Sequence, residues 1–145
     1  MNGVDSEQVF LGTWGELWIN GNYMAEATKV RAEVNVKYEE VKRVRKLMNG
    51  KKMVGIEGEG EITLQKVSSF MMRKISEDLK KGKAPDATII SKIDDPNAIG
   101  AERVALQHCK FSKATLANWE RGVQGEETYP FSFEDWDILD KTADN

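Results

Sequence analysis

Two long alternating segments constrain this chain more than anything else in it. From Thr28, the residues Val30, Ala32, Val34, Val36 and Tyr38 fall on one side and Lys29, Arg31, Glu33, Asn35 and Lys37 on the other. Successive side chains of a strand point to opposite faces, so this pattern predicts a half-buried strand over 28–38. Residues 53–67 repeat it, with Val54, Ile56, Gly58, Gly60, Ile62 and Leu64 alternating against Glu57, Glu59, Glu61, Thr63 and Gln65. Paired antiparallel, the two segments make a ribbon with one apolar and one charged face. The lysines and arginines of the first strand can then sit across from the glutamates of the second, each cross-strand pair contributing ~0.2–1 kcal/mol. Such a ribbon is only marginally stable alone, so its apolar face must lie on something.

The segment that follows supplies a partner. Ser68 or Ser69 is placed to cap a helix whose Met71, Met72, Ile75 and Leu79 form an apolar stripe, with Lys80 and Lys81 in its last turn, Gly82 at its C-cap and Pro85 as its stop. Before the ribbon, TWGELWINGNYM reads as a strand entering a hairpin turn at Asn20-Gly21. After the helix, DATIISKID reads as a strand ended by Asp95-Pro96-Asn97. ERVALQHCKF reads as another, with Val104, Leu106 and His108 opposite Ala105, Gln107 and Cys109, and weaker strands are expected over 113–120 and 129–138. The expected class is α+β, mainly β: a β-sandwich or open barrel with one flanking helix and a long antiparallel ribbon. With 145 residues, no internal repeat and no linker, the chain is read as one domain over 1–145, with polar, mobile ends at about 1–8 and 140–145.

Composition narrows the function. A 40% hydrophobic and 31% charged chain with 12 Gly and only 3 Pro has globular values. No apolar run approaches the ~18 residues that span a bilayer, and MNGVDSEQ lacks the basic and apolar regions of a signal peptide, so no membrane partner and a start in the cytoplasm are expected. The net charge of −3 conceals an asymmetry. Residues 42–52 carry six bases (Lys42, Arg43, Arg45, Lys46, Lys51, Lys52) and no acid, whereas residues 126–145 carry seven acids against Lys141 alone. Opposite patches on one small protein suit head-to-tail association of identical copies. Within the basic segment, Val41, Val44, Leu47 and Met48 have helical spacing, which leaves a short helical turn and a hairpin arm both open.

Catalytic chemistry finds little support. His108 is the one histidine and Cys109 the one cysteine. As strand neighbours they face opposite sides and cannot form a nucleophile pair, and they are too few for a zinc site. Gly55, Gly58 and Gly60 resemble a phosphate loop only superficially: no Lys-Ser/Thr follows, and Glu57, Glu59 and Glu61 stand where phosphate would lie. Small residues there instead let the strand bend or let another backbone approach. The glutamates beside Lys29 and Arg31 favour ion pairing over a cation site. The basic segment has no aromatic side chain on which bases could stack, which argues against nucleic-acid binding. The tryptophans, with Tyr129, Phe131 and Phe133, are assigned to core or subunit packing. No enzyme activity, cofactor or metal is expected.

Three stretches carry a resemblance that spans nearly the whole chain, residues 11–140. They are GTWGELWINGNYMAEA, the ribbon KVRAEVNVKYEEVKRVRKLMNGKKMVGIEGEGEITLQKVSS with the helix after it, and FSKATLANWERGVQGEETYPFSFEDWDIL. In these the sequence resembles the tail-tube proteins of contractile phages and phage-like particles, those of PBSX-like defective prophages of Gram-positive bacteria in particular. The resemblance implies a β-sandwich with one flanking helix, six copies closing into a ring, and rings stacking as the inner tube of a contractile tail. It also implies sheath, tape-measure and baseplate partners, assembly in the host cytoplasm and a final place in the particle. Carried onto this chain, it makes 28–38 with 53–67 the ribbon and 39–52 its tip. The lumen wall would carry Lys29, Arg31, Glu33, Lys37, Glu57, Glu59 and Glu61, and the ring-stacking loop Lys42, Arg43, Arg45, Lys46, Lys51 and Lys52. The mixed signs on the lumen face depart from an acidic, DNA-repelling bore, which leaves DNA passage open. Two alternatives stand beside this reading: a ring-forming tube component of a secretion system, and a small nucleic-acid-binding β-barrel.

Overall fold

The computed structural model describes residues 12–67, 69–96 and 100–140. Ser68 as a cap, Asn97 as a strand stop, and the expected mobile ends at 1–8 and 141–145 lie outside the described residues. Asp140 lies inside them, in a strand. The strands are β1 (Gly15–Ile19), β2 (Asn22–Tyr23), β3 (Ala27–Val41), β4 (Gly50–Gln65), β5 (Asp86–Ile93), β6 (Glu102–Phe111), β7 (Glu126–Phe133) and β8 (Asp135–Asp140), with one α-helix, α1 (Phe70–Lys80). The class is α+β, mainly β, as expected. Hydrogen bonds join all eight strands in one open antiparallel sheet of order β2-β1-β5-β6-β7-β4-β3, with β8 as a further partner of β6.

Local chemistry sets the ends of several elements. Asn20 and Gly21 both adopt positive φ (51° and 83°), the conformation a two-residue hairpin between β1 and β2 requires. Asn20 also ties that hairpin to β5, since its N–H donates to Thr88 O and its Oδ1 accepts from Thr88 N–H, both at 2.9 Å. Ser69 occupies the N-cap of α1 without a side-chain capping bond. The helix closes on Gly82 (φ 71°), where Lys83 N–H donates to Asp78 O at 2.9 Å and Gly82 N–H to Leu79 O at 3.0 Å, a Schellman arrangement. Of the expected stripe, Met71 and Ile75 are buried, Met72 is half-buried and Leu79 is exposed.

The ribbon is longer than its alternation suggested. Pairing runs from Ala27↔Leu64 to Val41↔Gly50, so the basic loop shrinks to 42–49. It is a turn rather than a helix: Arg45 has φ 62°, and the Arg43 guanidinium reaches back to Met48 O at 3.1 Å. Two register shifts, between Ala27 and Lys29 and between Lys37 and Tyr38, set Thr28 and Val54 out of the ladder and bring Met53 opposite Tyr38. Gly58 and Gly60 are small because aromatic rings lie over them. A Cβ on Gly58 would stand 2.5 Å from the Phe133 ring, and one on Gly60 would stand 2.7 Å from Phe131 and 2.3 Å from Arg31 O. The core thus runs from Leu17, Ile19, Met71, Ile75 and Ile89 through Ile62, Leu64, Phe111 and Tyr129 to Phe131 and Phe133.

Three expectations need correction. Residues 113–120 are irregular, because both flanking strands already have partners, and only Ala114 of that stretch packs on the core. The strand over 129–138 is two strands, β7 and β8, divided at Glu134. In β6 the alternation breaks at His108, which takes φ 54°. Leu106 pairs Ile89 and Cys109 pairs Ala87, so two residues of β6 oppose Thr88. This bulge changes the parity of the strand and puts Leu106, Cys109 and Phe111 together in the core, with His108 outside.

Gly60→Ala should therefore lower stability by ~1–3 kcal/mol, as overpacking does, whereas Gly55→Ala, which meets nothing within 4 Å, should not. Urea midpoints measure both. Equal midpoints for Gly60→Ala and the parent protein would contradict the close approach of the Phe131 ring and β3.

Candidate assembly interface

The charged face of the ribbon forms as its pattern predicts. Lys29, Arg31, Glu33, Lys37, Glu57, Glu59 and Glu61 share one side, since Arg31 stands directly opposite Glu61, Glu33 opposite Glu59 and Asn35 opposite Glu57. Lys29 Nζ lies 3.6 Å from Glu61 Oε1 and Arg31 Nε 3.8 Å from the same oxygen, while Lys37 Nζ meets Glu57 Oε1 at 2.7 Å. Glu33 and Glu59 are like charges across the ladder, and Arg31 Nη1 holds Glu33 Oε1 at 2.6 Å. Exposed pairs of this kind add little stability. Their effect is to cancel charge along the face.

The six basic residues divide into two groups. Lys51 and Lys52 belong to β4, opposite Glu40 and Glu39, and so face acids of their own ribbon. Lys42, Arg43, Arg45 and Lys46 belong to the loop, where Arg43 shapes the turn through Met48 O.

The apolar face changes character along its length. Ala27, Val30 and Val34 pack on the core. β7 stops pairing with β4 at Gly58↔Phe133, and beyond that point Val36, Ile56, Tyr38 and Met53 are 41%, 50%, 58% and 60% exposed. In the loop Val44, Leu47 and Met48 are more exposed still. The outer edge of β3 and the 50–57 edge of β4 have no strand partner among the described residues. A long, partly apolar strand with an unpaired edge invites pairing with another chain, and contiguous exposed apolar surface marks an interaction site.

Elsewhere the side chains are suited to structure. His108 is exposed, its Nδ1 3.8 Å from Asp86 Oδ2. Cys109 is buried and donates its S–H to Leu106 O at 3.4 Å; burial pushes its thiol up to about 12, so it stays protonated near neutral pH. Among the described residues, no group of three His, Cys, Asp or Glu could hold a metal ion, and no helix is long and apolar enough to cross a membrane.

One buried acid escaped the sequence reading. Glu127 accepts from the Tyr129 hydroxyl and from Lys66 Nζ, the latter at 2.7 Å. Burial, and then its hydrogen bond to Glu127, push the Tyr129 phenol above its ordinary value. The signal was an acid in register with Tyr129, Phe131 and Phe133 along an alternating strand. Part of the expected acidic patch is therefore internal. Glu134 also has a cation, Lys110 at 2.9 Å, which holds its carboxyl below the usual range.

A family model described as phage tail tube protein matches residues 2–140. The chain belongs to the phage tail tube family. A tail-tube chain from this family is a structural component of a tail particle. The phage-like element PBSX protein XkdM of Bacillus subtilis is 32% identical over 143 residues, covering 97% of each chain. Among solved structures, the tube-terminating cap of the anti-feeding prophage superposes with a TM-score of 0.72 at 7% identity, covering 98% of this chain and 97% of that one. A sheath–tube complex of an extracellular contractile injection system gives 0.70 at 4% identity, covering 95% of each. At those identities the likeness is one of fold. The fold places the tail-tube ribbon of this chain at one end of the sheet, with its outer half uncovered.

The native protein should leave Cys109 unmodified by a thiol reagent such as DTNB at pH 8, and react with one equivalent once unfolded in guanidinium. Rapid labelling of the folded protein would contradict the burial that raises this thiol.

Proposed function

We propose that this chain is a single tail-tube domain that closes with five further copies into a hexameric ring, and that rings stack as the inner tube of a contractile phage or phage-like tail. The observation that carries the reading is the outer ribbon: two edges and an apolar face that the described residues leave unpaired and open, on a chain of the tail-tube family. Joining to neighbouring copies along these edges would cover both and remove the exposed edges. The charged face, with Lys29, Arg31, Glu33, Lys37, Glu57, Glu59 and Glu61, then lines the lumen. Its internal ion pairs make that wall close to neutral where they form, so it neither strongly repels nor strongly holds a polyanion. The loop with Lys42, Arg43, Arg45 and Lys46 extends past the sheet toward the adjoining ring, and Lys51 and Lys52 support its base.

Sheath, tape-measure and baseplate proteins are the partners this role requires. Similar folds in a baseplate, a cap and a sheath–tube complex support that surrounding. Assembly takes place in the host cytoplasm and the tube ends in the particle.

Electron microscopy of the concentrated protein, alone and with tail partners, should show rings or rods; a strict monomer under both conditions would overturn the reading. Arg43→Glu with Arg45→Glu should shorten tubes while single rings persist, and an unchanged length distribution would remove the loop from stacking.

A further inference from the structure

We infer that β8 is the surface on which the outer half of a neighbouring copy's ribbon docks. This rests on the ring-forming reading above and names the two faces that meet.

The sheet forks where β7 ends. β7 and β8 run in line along β6, with Ser132 opposite Lys110 and Asp135 opposite Gln107. β4 follows β7 only as far as Gly58↔Phe133. From there β8 continues with β6, and β4 continues with β3. An open cleft separates the two branches, lined by Ile56, Glu59, Phe133 and Trp136 among others. Counted in rows from the fork at ~3.3 Å per residue, β8 lies level with residues 50–56 of β4 and 36–41 of β3. Rotation about an axis along the ribbon keeps heights unchanged, so β8 of one copy stands level with the uncovered half of the next copy's ribbon.

Chemistry matches the two surfaces. At the height of β8 the ribbon (36–41 and 50–56) holds Lys37, Lys51 and Lys52 against Glu39 and Glu40, and the four bases of the 42–49 loop lie just beyond; residues 134–140 hold four acids and no base, Glu134 being paired with Lys110. Asp137 Oδ2 accepts from the Gln107 amide and Asp135 Oδ1 from the Trp136 N–H, both neutral donors, and neither carboxylate has a cationic partner among the described residues. Trp136, Ile138 and Leu139 are exposed, as are Val36, Tyr38, Met53 and Ile56 on the ribbon. β6 is the only strand that pairs with β8 among the described residues, which leaves the other edge of β8 open beside the cleft.

Symmetry selects between self-pairing and this arrangement. Two β3 edges meeting each other would make an isologous contact and close a dimer, whereas a ring needs two different surfaces on every copy. Two open edges among the described residues differ from that of β3 at this height: 50–57 of β4, which carries Lys51 and Lys52, and β8, which carries Asp135 and Asp137 and so is the better match to a basic ribbon tip.

Cross-linking between copies that each carry one added cysteine tests the pairing, with buried Cys109 silent. Tyr38→Cys protein is mixed with Ile138→Cys protein and treated with a short bis-maleimide. A covalent dimer should form in the mixture and be absent from either variant alone. Replacing Ile138→Cys by Val67→Cys, beyond the opposite end of β4, should abolish it. In a second measurement, Asp135→Lys with Asp137→Lys should raise the protein concentration for half-assembly at least tenfold while the circular dichroism spectrum is unchanged. Rings of the unmodified protein without the Tyr38–Ile138 product, an equal product with Val67→Cys, or unaltered assembly of the aspartate variant would overturn the docking site and leave the ring reading standing. An unmodified protein that never forms rings would overturn the ring reading itself.

Discussion

The rings of Phe131 and Phe133, lying across Gly60 and Gly58, fix where the ribbon stops being part of a folded core and begins to stand alone. Toward Ile62 and Leu64 every apolar residue of β4 is buried. Toward Ile56 and Met53 the same face is exposed, with nothing over it among the described residues. A two-stranded ribbon is marginal in water without such cover. The structure therefore joins a self-sufficient core to an extension whose apolar face and edges call for a second copy.

This division organises the electrostatics as well. On the charged face, Lys29, Arg31 and Lys37 answer Glu61, Glu33 and Glu57 within the ribbon, so that face can line a shared space without strong mutual repulsion among copies. The cations of the loop, and the carboxylates of Asp135 and Asp137 in β8, have no such partner among the described residues. Those are the places where attraction between copies can act, and they flank the uncovered apolar stripe. The buried Glu127, held by Lys66 and Tyr129, is a separate matter: it joins the end of β4 to β7 inside one copy.

Much of this was legible in the sequence because strand alternation over 28–38 and 53–65 needs no knowledge of the partner. The Asn20-Gly21 turn and the Gly82 helix stop were legible for the same reason, since a local conformation demands those residues. Parity changes were not. The bulges at Thr28 and Val54 and the left-handed His108 depend on what the facing strand does, and a reading that assumed strict alternation set His108 with Leu106. Irregularity over 113–120 was hidden because a strand needs a free edge to join, and that is settled by β6 and β7. Gly55, Gly58 and Gly60 were legible together as places of bending or close approach, but only the pairing of β4 with β7 shows that phenylalanine rings fill the space over Gly58 and Gly60 while Gly55 meets nothing.

Amide hydrogen exchange, read separately over residues 34–41 and 50–57 and over the core strands, tests most directly whether the outer ribbon depends on neighbouring copies. In dissociated protein the outer ribbon should exchange rapidly while β5, β6 and the 60–64 part of β4 stay protected, and assembly should slow the outer ribbon to the rate of the core. Outer-ribbon protection that is already core-like in the monomer, or that assembly leaves unchanged, would contradict the account.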